Sequence, residues 1–263
     1  MEEVVHPPQG PPPPTRAANR LATVIPVFRS VLTSREDQRV AETIRNSSVE
    51  HVYFVGPRTL DTGALSERWP AVEFVPFDAD AFTSVMAYSD WMLRPDLYRR
   101  FLGYEYVLIA QTDAFLIKPL PGDAVWRFDY LGSPWEPPWV KRWDEAEHRL
   151  RGAKRFRGRR LRVGNGGLSL RRTSAFAQKL NLPDPLVRTS EDIAISYFHS
   201  RIGIRLASAR TARRFFMEMG ASAWSPGDPV PSVYGFHALD KFNPSLESHL
   251  LDGEGSCEVD PSR

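Results

Sequence analysis

Four short apolar runs, separated by segments of helical pattern, constrain the fold of this 263-residue chain more than any other feature. The runs span residues 22–28, 51–55, 72–77 and 106–110. Each is rich in the β-branched and aromatic residues that favour strands. A helical pattern that Ser34 can cap separates the first two runs, and another over about 83–102 separates the last two. This alternation predicts a three-layer α/β/α domain with a mostly parallel central sheet.

The length of the chain suits one large domain and is too short for two catalytic domains. We expect the proline-rich residues 1–19 to be a disordered leader, residues 20–248 to form the domain and residues 249–263 to be a flexible tail. No stretch approaches the roughly 18 consecutive apolar residues of a membrane-spanning helix, so we expect no membrane span and a cytoplasmic protein. Cys257 is the only cysteine, which excludes an intrachain disulfide.

A strongly basic segment interrupts the second half of the chain. Residues Arg149 to Arg162 include eight basic side chains and no acidic one. Such a run is typical of a solvated loop, and the alternative is a mobile loop that attracts phosphate or an acidic acceptor. No nucleic-acid partner is expected, because no aromatic-interleaved binding module accompanies the run.

The most apolar run, Tyr106 to Ala110, ends directly in Gln111-Thr112-Asp113. In open α/β sheets ligands bind at the carboxyl ends of the strands, so Asp113 is a candidate site residue. Its carboxylate could bind a divalent cation that bridges the oxygens of a diphosphate. The alternative is an aspartate that only forms a turn.

Gly164-Asn165-Gly166-Gly167 places three glycines in four positions, just before a predicted strand from Leu168 to Leu170. Glycines allow the backbone to approach a ligand closely, although a hairpin turn uses the same residues. The spacing is not the G-x-G-x-x-G of a dinucleotide site.

Three further motifs contain residues that could carry chemistry. Glu191 and Asp192 precede an apolar helix, where they either cap the helix or supply a general base. His237 follows a glycine and a phenylalanine and is either a metal ligand or a structural residue. Trp135 ends a Gly-Ser-Pro-Trp motif, where its ring could stack on a sugar or pack a small cap.

Together these motifs resemble the DUF5672 family, which is similar to GT-A glycosyltransferases, over roughly residues 22–245. The motifs are Gln111-Thr-Asp113, Asp129-Tyr-Leu-Gly-Ser-Pro-Trp135, Val163-Gly-Asn-Gly-Gly-Leu-Ser-Leu-Arg171, Glu191-Asp192 and Gly235-Phe-His237. The resemblance implies a single GT-A-like domain with a Rossmann-like nucleotide-binding half and an acceptor half.

The same resemblance implies roles for individual residues. Asp113 and His237 become ligands of Mn²⁺ or Mg²⁺, Asp192 becomes the general base with Glu191 beside it, and Trp135 belongs to the acceptor site. The donor nucleotide sugar is expected against Pro26, Gln111, Thr112, Asp113, Gly164, Asn165, Gly166 and Gly167. Gln111 stands where the family similarity has the first aspartate of a D-x-D motif, so metal affinity should be lower. A carboxylate with an imidazole suits Mn²⁺ better than Mg²⁺.

The motifs and the resemblance together predict an enzyme that transfers a sugar from a nucleotide-diphosphate sugar to a hydroxyl acceptor with help from Mn²⁺. Inversion is expected because Asp192 supplies a base and no second nucleophile is identifiable, and retention is the alternative. One alternative is a nucleotide-sugar-binding protein of the same fold without turnover, motivated by Gln111. Another is a sugar nucleotidyltransferase. That class normally has a glycine-rich phosphate loop near its first strand, and Val24 to Ser30 contain no glycine.

Overall fold

The computed structural model describes residues 20–121, 126–135, 163–179, 190–200 and 202–253. The predicted leader, the basic segment and residues 254–263 of the predicted tail lie outside these ranges. No helix among the described residues is both long and apolar enough to cross a membrane.

The centre of the molecule is a six-stranded sheet. Its strands are β1 (Leu21–Pro26), β2 (Val52–Pro57), β3 (Glu73–Phe77), β4 (Tyr106–Ala110), β6 (Tyr130–Pro134) and β7 (Val163–Arg172). They follow the order β3-β2-β1-β4-β7-β6. Strands β1 to β4 are parallel, whereas β7 is antiparallel to β4, and β6 is antiparallel to β7. The prediction of a mostly parallel sheet is confirmed.

A smaller sheet continues from the carboxyl end of β4. It contains β5 (Ala114–Leu116), β8 (Phe216–Met217) and β9 (Gly235–His237), in the order β5-β9-β8. Ala114 pairs with His237 across the antiparallel strands β5 and β9. This pairing brings the end of the described chain back to the residues that follow β4, which is why Asp113 and His237 lie together.

Helices cover both faces of the central sheet. They are α1 (Ser34–Arg45), α2 (Gly63–Arg68), α3 (Val85–Met92), α4 (Pro95–Arg99), α5 (Thr173–Lys179), α6 (Glu191–Phe198), α7 (Ala209–Ala212), α8 (Leu239–Phe242) and α9 (Pro244–Leu251). Val24 of β1 packs in one apolar cluster with α3 to α6, while its neighbour Ile25 packs in another with α1 and α2. Alternate residues of a strand point to opposite faces, so the sheet is buried between two helical layers.

Two helix ends differ from the sequence-based expectation. The cap of α1 is Thr33 rather than Ser34, because Thr33 and Glu36 form a reciprocal capping box. Glu36 also accepts a hydrogen bond from Thr112 at 3.0 Å, which ties the start of α1 to the residues after β4. The last helix continues to Leu251, past the predicted domain end at residue 248.

Candidate active site

A cavity of about 600 Å³ opens beside the carboxyl ends of β1 and β4. Five residues predicted to bind donor or metal line it, namely Pro26, Gln111, Thr112, Asp113 and His237. The cationic side chains of Arg29 and Lys241 and the aromatic rings of Phe28, Phe82 and Tyr88 complete much of the wall. A cavity of this size, with both apolar and charged walls, suits a small organic anion.

Asp113 and His237 form the polar centre of this cavity. His237 Nε2 lies 3.2 Å from Asp113 Oδ1, and the Nζ of Lys241 lies 3.4 Å from Asp113 Oδ2. Among the residues that the structure describes, the buried Nε2 has no aligned hydrogen-bond partner, and its contact with Asp113 is that of an ion pair. The backbone N–H of Ala238 donates to the Asp113 carbonyl at 2.8 Å and keeps the two residues side by side.

The charges at this centre depend on one another. Burial opposes ionisation of Asp113, but the charges of His237 and Lys241 outweigh it and hold the pKa of this carboxyl well below its usual range. Burial alone would lower the pKa of His237, whereas the carboxylates of Asp113 and Glu218 outweigh it and raise that pKa to about 10. A metal ion that binds Nε2 would take the place of its proton.

Gln111 faces the same point as the imidazole. A Cβ atom added to Gly167 would lie 2.1 Å from His237 Nε2 and 2.7 Å from Gln111 Oε1, so both atoms converge above this glycine. The described residues include no group of three or more His, Cys, Asp or Glu side chains that could hold a metal ion. Asp113 and His237 are a carboxylate and an imidazole, which are both metal-ligating groups, so these two residues could contribute two ligands to a cation that takes its remaining ligands from elsewhere.

The glycine stretch lies within a strand and does not form the turn that its composition also allowed. Gly164 to Gly167 are part of β7, which bulges against β6 between Gly132 and Pro134. Their function is close packing: a Cβ on Gly166 would lie 1.9 Å from Glu191 Oε1. The missing side chains let Glu191 and the imidazole of His237 approach the backbone of β7.

Replacing Gly167 with alanine should displace His237 and Gln111, because the new methyl group overlaps the imidazole and the Gln111 amide. We expect a loss of stability of about 1–3 kcal/mol, the usual range for overpacking, together with weaker Mn²⁺ binding. Chemical denaturation and Mn²⁺ titration would measure both effects. Gly63→Ala is the matched control, since its nearest contact would be a side-chain oxygen at 3.3 Å. Equal behaviour of the two variants would contradict this description of Gly167.

Glu191 is held by a buried arginine. Its Oε1 lies 3.2 Å from the Nη2 of Arg171, whose side chain has no solvent exposure. Arg171 also donates to the hydroxyls of Tyr98 and Ser169, at 2.7 and 2.9 Å. This network joins β7, α4 and α6, so the contacts of Glu191 are those of a residue that fixes the start of α6.

Asp192 has a different environment, although it is the next residue. Ser190 occupies the N-cap of α6 without a side-chain capping bond, and Asp192 Oδ1 accepts from the N–H of Ile193 at 2.7 Å. Burial and the nearby charge of Glu191 raise the pKa of Asp192 to about 7. A carboxylate with this pKa can accept a proton near neutral pH.

Trp135 packs against the glycine strand at Gly164. The ring is 7% exposed, and a Cβ on Gly164 would lie 2.1 Å from it. Its described contacts are therefore those of a packing residue, and its acceptor role remains a prediction.

Sequence reasoning missed several residues around the cavity. Arg171 stood at the end of a quoted motif without a role, and Glu218 and Lys241 were in no motif at all. Lys241 gave no helical signal, because His237 ends strand β9 whereas Lys241 lies on α8. Glu218 gave no sequence signal either, because only the pairing of β8 with β9 brings it to His237.

Several solved structures with a similar fold are glycosyltransferases. The galactosyltransferase LgtC in complex with donor and acceptor sugar analogs has a TM-score of 0.55 and 12% identity, and the match covers 92% of this chain and 98% of LgtC. An active-site mutant of LgtC has a TM-score of 0.56 and 11% identity, and the match covers the same shares of the two chains. The apo structure of the bifunctional glycosyltransferase WbbM has a TM-score of 0.51 and 13% identity, and the match covers 85% of this chain and 46% of WbbM. This chain thus spans less than half of WbbM.

These similarities place the chain in the class of proteins with the GT-A glycosyltransferase fold. Its sequence matches the model of DUF5672, described as a protein of unknown function, over residues 71–233. The chain belongs to the DUF5672 family. Among curated proteins, none matches the sequence significantly.

Proposed function

We propose that this protein transfers a sugar from a nucleotide-diphosphate sugar to a hydroxyl acceptor, with inversion at the anomeric carbon. The observation that carries this proposal is the convergence of Gln111, Asp113 and His237 beside a cavity of about 600 Å³. The GT-A fold supports it, because LgtC, a galactosyltransferase of similar fold, binds donor and acceptor sugar analogs.

The donor diphosphate would lie against the polar centre of the cavity. Asp113 and His237 would hold Mn²⁺, which when bound supplies Lewis-acid stabilisation of the leaving diphosphate. Lys241 and Arg29 line the same cavity and provide positive charge for the phosphates. Phe28 is 56% exposed at the wall and offers a face for the nucleoside.

The acceptor hydroxyl would lose its proton to Asp192. The N–H of Ile193 orients this carboxylate, and the pair of Glu191 with Arg171 fixes the turn that carries it. A single positioned base supports direct displacement at the anomeric carbon, which inverts its configuration.

The pKa of Asp192 gives the site a defined pH dependence. Because a base must be ionised, kcat should fall as the pH drops below about 7. Stability should change in the opposite direction: a carboxyl whose pKa is raised by folding stabilises the native state below about pH 4, and this stabilisation is lost as the pH rises through 7. Unfolding of wild type and Asp192→Asn between pH 4 and 8 would measure the effect. A constant difference between the two proteins would contradict the raised pKa.

A panel of nucleotide sugars would test donor binding. In the presence of Mn²⁺, the correct donor at 100 times its Kd should stabilise the native state by about 2.7 kcal/mol. Thermal unfolding measures this as a shift that one nucleotide class shares and others lack. The same panel without divalent cation measures how much of the affinity depends on metal. If no donor shifts the transition of a well-folded sample under either condition, the proposal is wrong.

A further inference from the structure

A second carboxylate lies behind His237, on the side away from Asp113. Strands β8 and β9 are parallel, with Met217 paired to Phe236, so Glu218 and His237 are the next residues of the two neighbouring strands. Glu218 is 7% exposed, and its Oε1 lies 3.0 Å from His237 Nδ1. The two nitrogens of the imidazole therefore face two different carboxylates.

Glu218 is itself held in place by the glycine strand. Asn165 Nδ2 donates to the same Oε1 at 2.7 Å, and Asn165 Oδ1 accepts from the N–H of Gly167 at 2.9 Å. Gly167 in turn accepts a backbone hydrogen bond from Gln111 at 2.8 Å. A continuous set of hydrogen bonds thus runs from the backbone of Gln111 through β7 to Glu218.

This arrangement determines which ring nitrogen of His237 is available to bind a cation. An ionised carboxylate only accepts hydrogen bonds, so the ring donates its Nδ1–H to Glu218. Nε2 then faces Asp113 Oδ1 at 3.2 Å, and within the described ranges of the chain this buried atom has no hydrogen-bond partner. Histidines that bind metals commonly donate their other N–H to a carboxylate, which orients the ring and makes it a better ligand.

We propose that Glu218 is a positioning residue for the metal centre, where it holds the Nδ1–H of His237 so that Nε2 is directed at a cation shared with Asp113. This inference rests on the proposed function for the identity of the cation. It adds a residue that does not touch the ion, and it gives Asn165 a specific task, which is to orient Glu218.

A purely structural role for Glu218 would satisfy a buried imidazole and nothing more. The two roles differ in their consequences. If Glu218 positions the ring, removing its charge changes the metal affinity and the hydrogen bond of Nδ1–H. If its role is structural, removing its charge changes stability alone. The decisive variant is Glu218→Gln, which keeps the shape and removes the charge.

Mn²⁺ alone is the probe, measured by the electron paramagnetic resonance of the free ion during titration with protein. Wild type should bind Mn²⁺, and Glu218→Gln should bind it about 10–100-fold more weakly, the usual effect of losing such a partner. In metal-free protein labelled with ¹⁵N-histidine, the Nδ1–H of His237, held by Glu218 at 3.0 Å, should give a signal protected from exchange with water in wild type, and this signal should be lost in the variant. His237→Gln identifies the signal among the six histidines.

Asp129→Asn is the matched control. Asp129 is also a buried carboxylate, but it accepts hydrogen bonds from Arg172 and Arg205, which are not residues of the site. It should leave Mn²⁺ affinity unchanged. If Glu218→Gln does not fold, Glu218→Asp, which keeps the charge on a shorter side chain, should still weaken Mn²⁺ binding.

The inference is overturned if wild type does not bind Mn²⁺, or if a folded Glu218 variant keeps both its Mn²⁺ affinity within twofold and its Nδ1–H signal. Weaker Mn²⁺ binding in a protein that consumes no nucleotide sugar would leave the positioning role intact and overturn the proposed function alone.

Discussion

Replacing Asp192 with asparagine should lower kcat by about 10²–10⁴ while donor affinity stays near normal, because that is the usual contribution of a positioned general base. The fold should survive, since the amide oxygen of asparagine can still accept from the N–H of Ile193, as Asp192 does at 2.7 Å. Donor Kd and kcat, measured on equally folded samples, separate the loss of a base from the loss of a binding site.

The neighbouring variant Glu191→Gln is the matched control, and its effect should be mainly on stability. It removes the anionic partner of Arg171, a side chain with no solvent exposure. Breaking a buried pair in this way typically costs about 3–5 kcal/mol. A large loss of kcat in folded Glu191→Gln, with an active Asp192→Asn, would reverse the two assignments. A product with retained configuration would remove the need for this base.

Replacing Asp113 with asparagine should weaken the binding of donor in Mn²⁺ by about 10²-fold or more, because the site loses a charged group at its polar centre. The variant also removes the anion that faces His237 Nε2 and Lys241 Nζ, at 3.2 and 3.4 Å. Calorimetric titration of donor with Mn²⁺ would measure the loss.

Asp240→Asn is the control for Asp113, since Asp240 is a partly exposed carboxylate on α8, next to Lys241. It should bind donor as wild type does. Donor binding by Asp113→Asn within twofold of wild type would show that Asp113 is only the turn-forming aspartate that its position also allowed.

The sheet and one half of the site could be predicted because their signals are local. A buried strand from Tyr106 to Ala110 that ends in Asp113 is readable in a few consecutive residues, and the carboxyl ends of parallel strands share one edge. The glycine stretch was also readable, but its conformation was not. Whether Gly164 to Gly167 turn or extend depends on what packs against them, and that is Glu191 and His237.

The remaining half of the site depends on contacts between distant parts of the chain. Arg171 looks like any strand arginine until α6 and α4 bring Glu191 and Tyr98 to it. Glu218 reaches His237 only through the pairing of two very short strands. Thr33 rather than Ser34 caps α1 because the reciprocal bond requires Glu36 three residues after the cap.

Transfer itself is the most direct test of the central claim. Wild-type protein with Mn²⁺ and the donor selected by thermal unfolding should release nucleoside diphosphate, slowly to water and faster with a sugar or other hydroxyl acceptor. Proton NMR would follow the anomeric signal of the donor as a signal of inverted configuration replaces it. Loss of this turnover in Asp192→Asn, at unchanged donor affinity, is the predicted result. Tight donor binding by the folded wild-type protein, without release of diphosphate for any acceptor of a broad panel, would contradict the account and leave a nucleotide-sugar-binding protein.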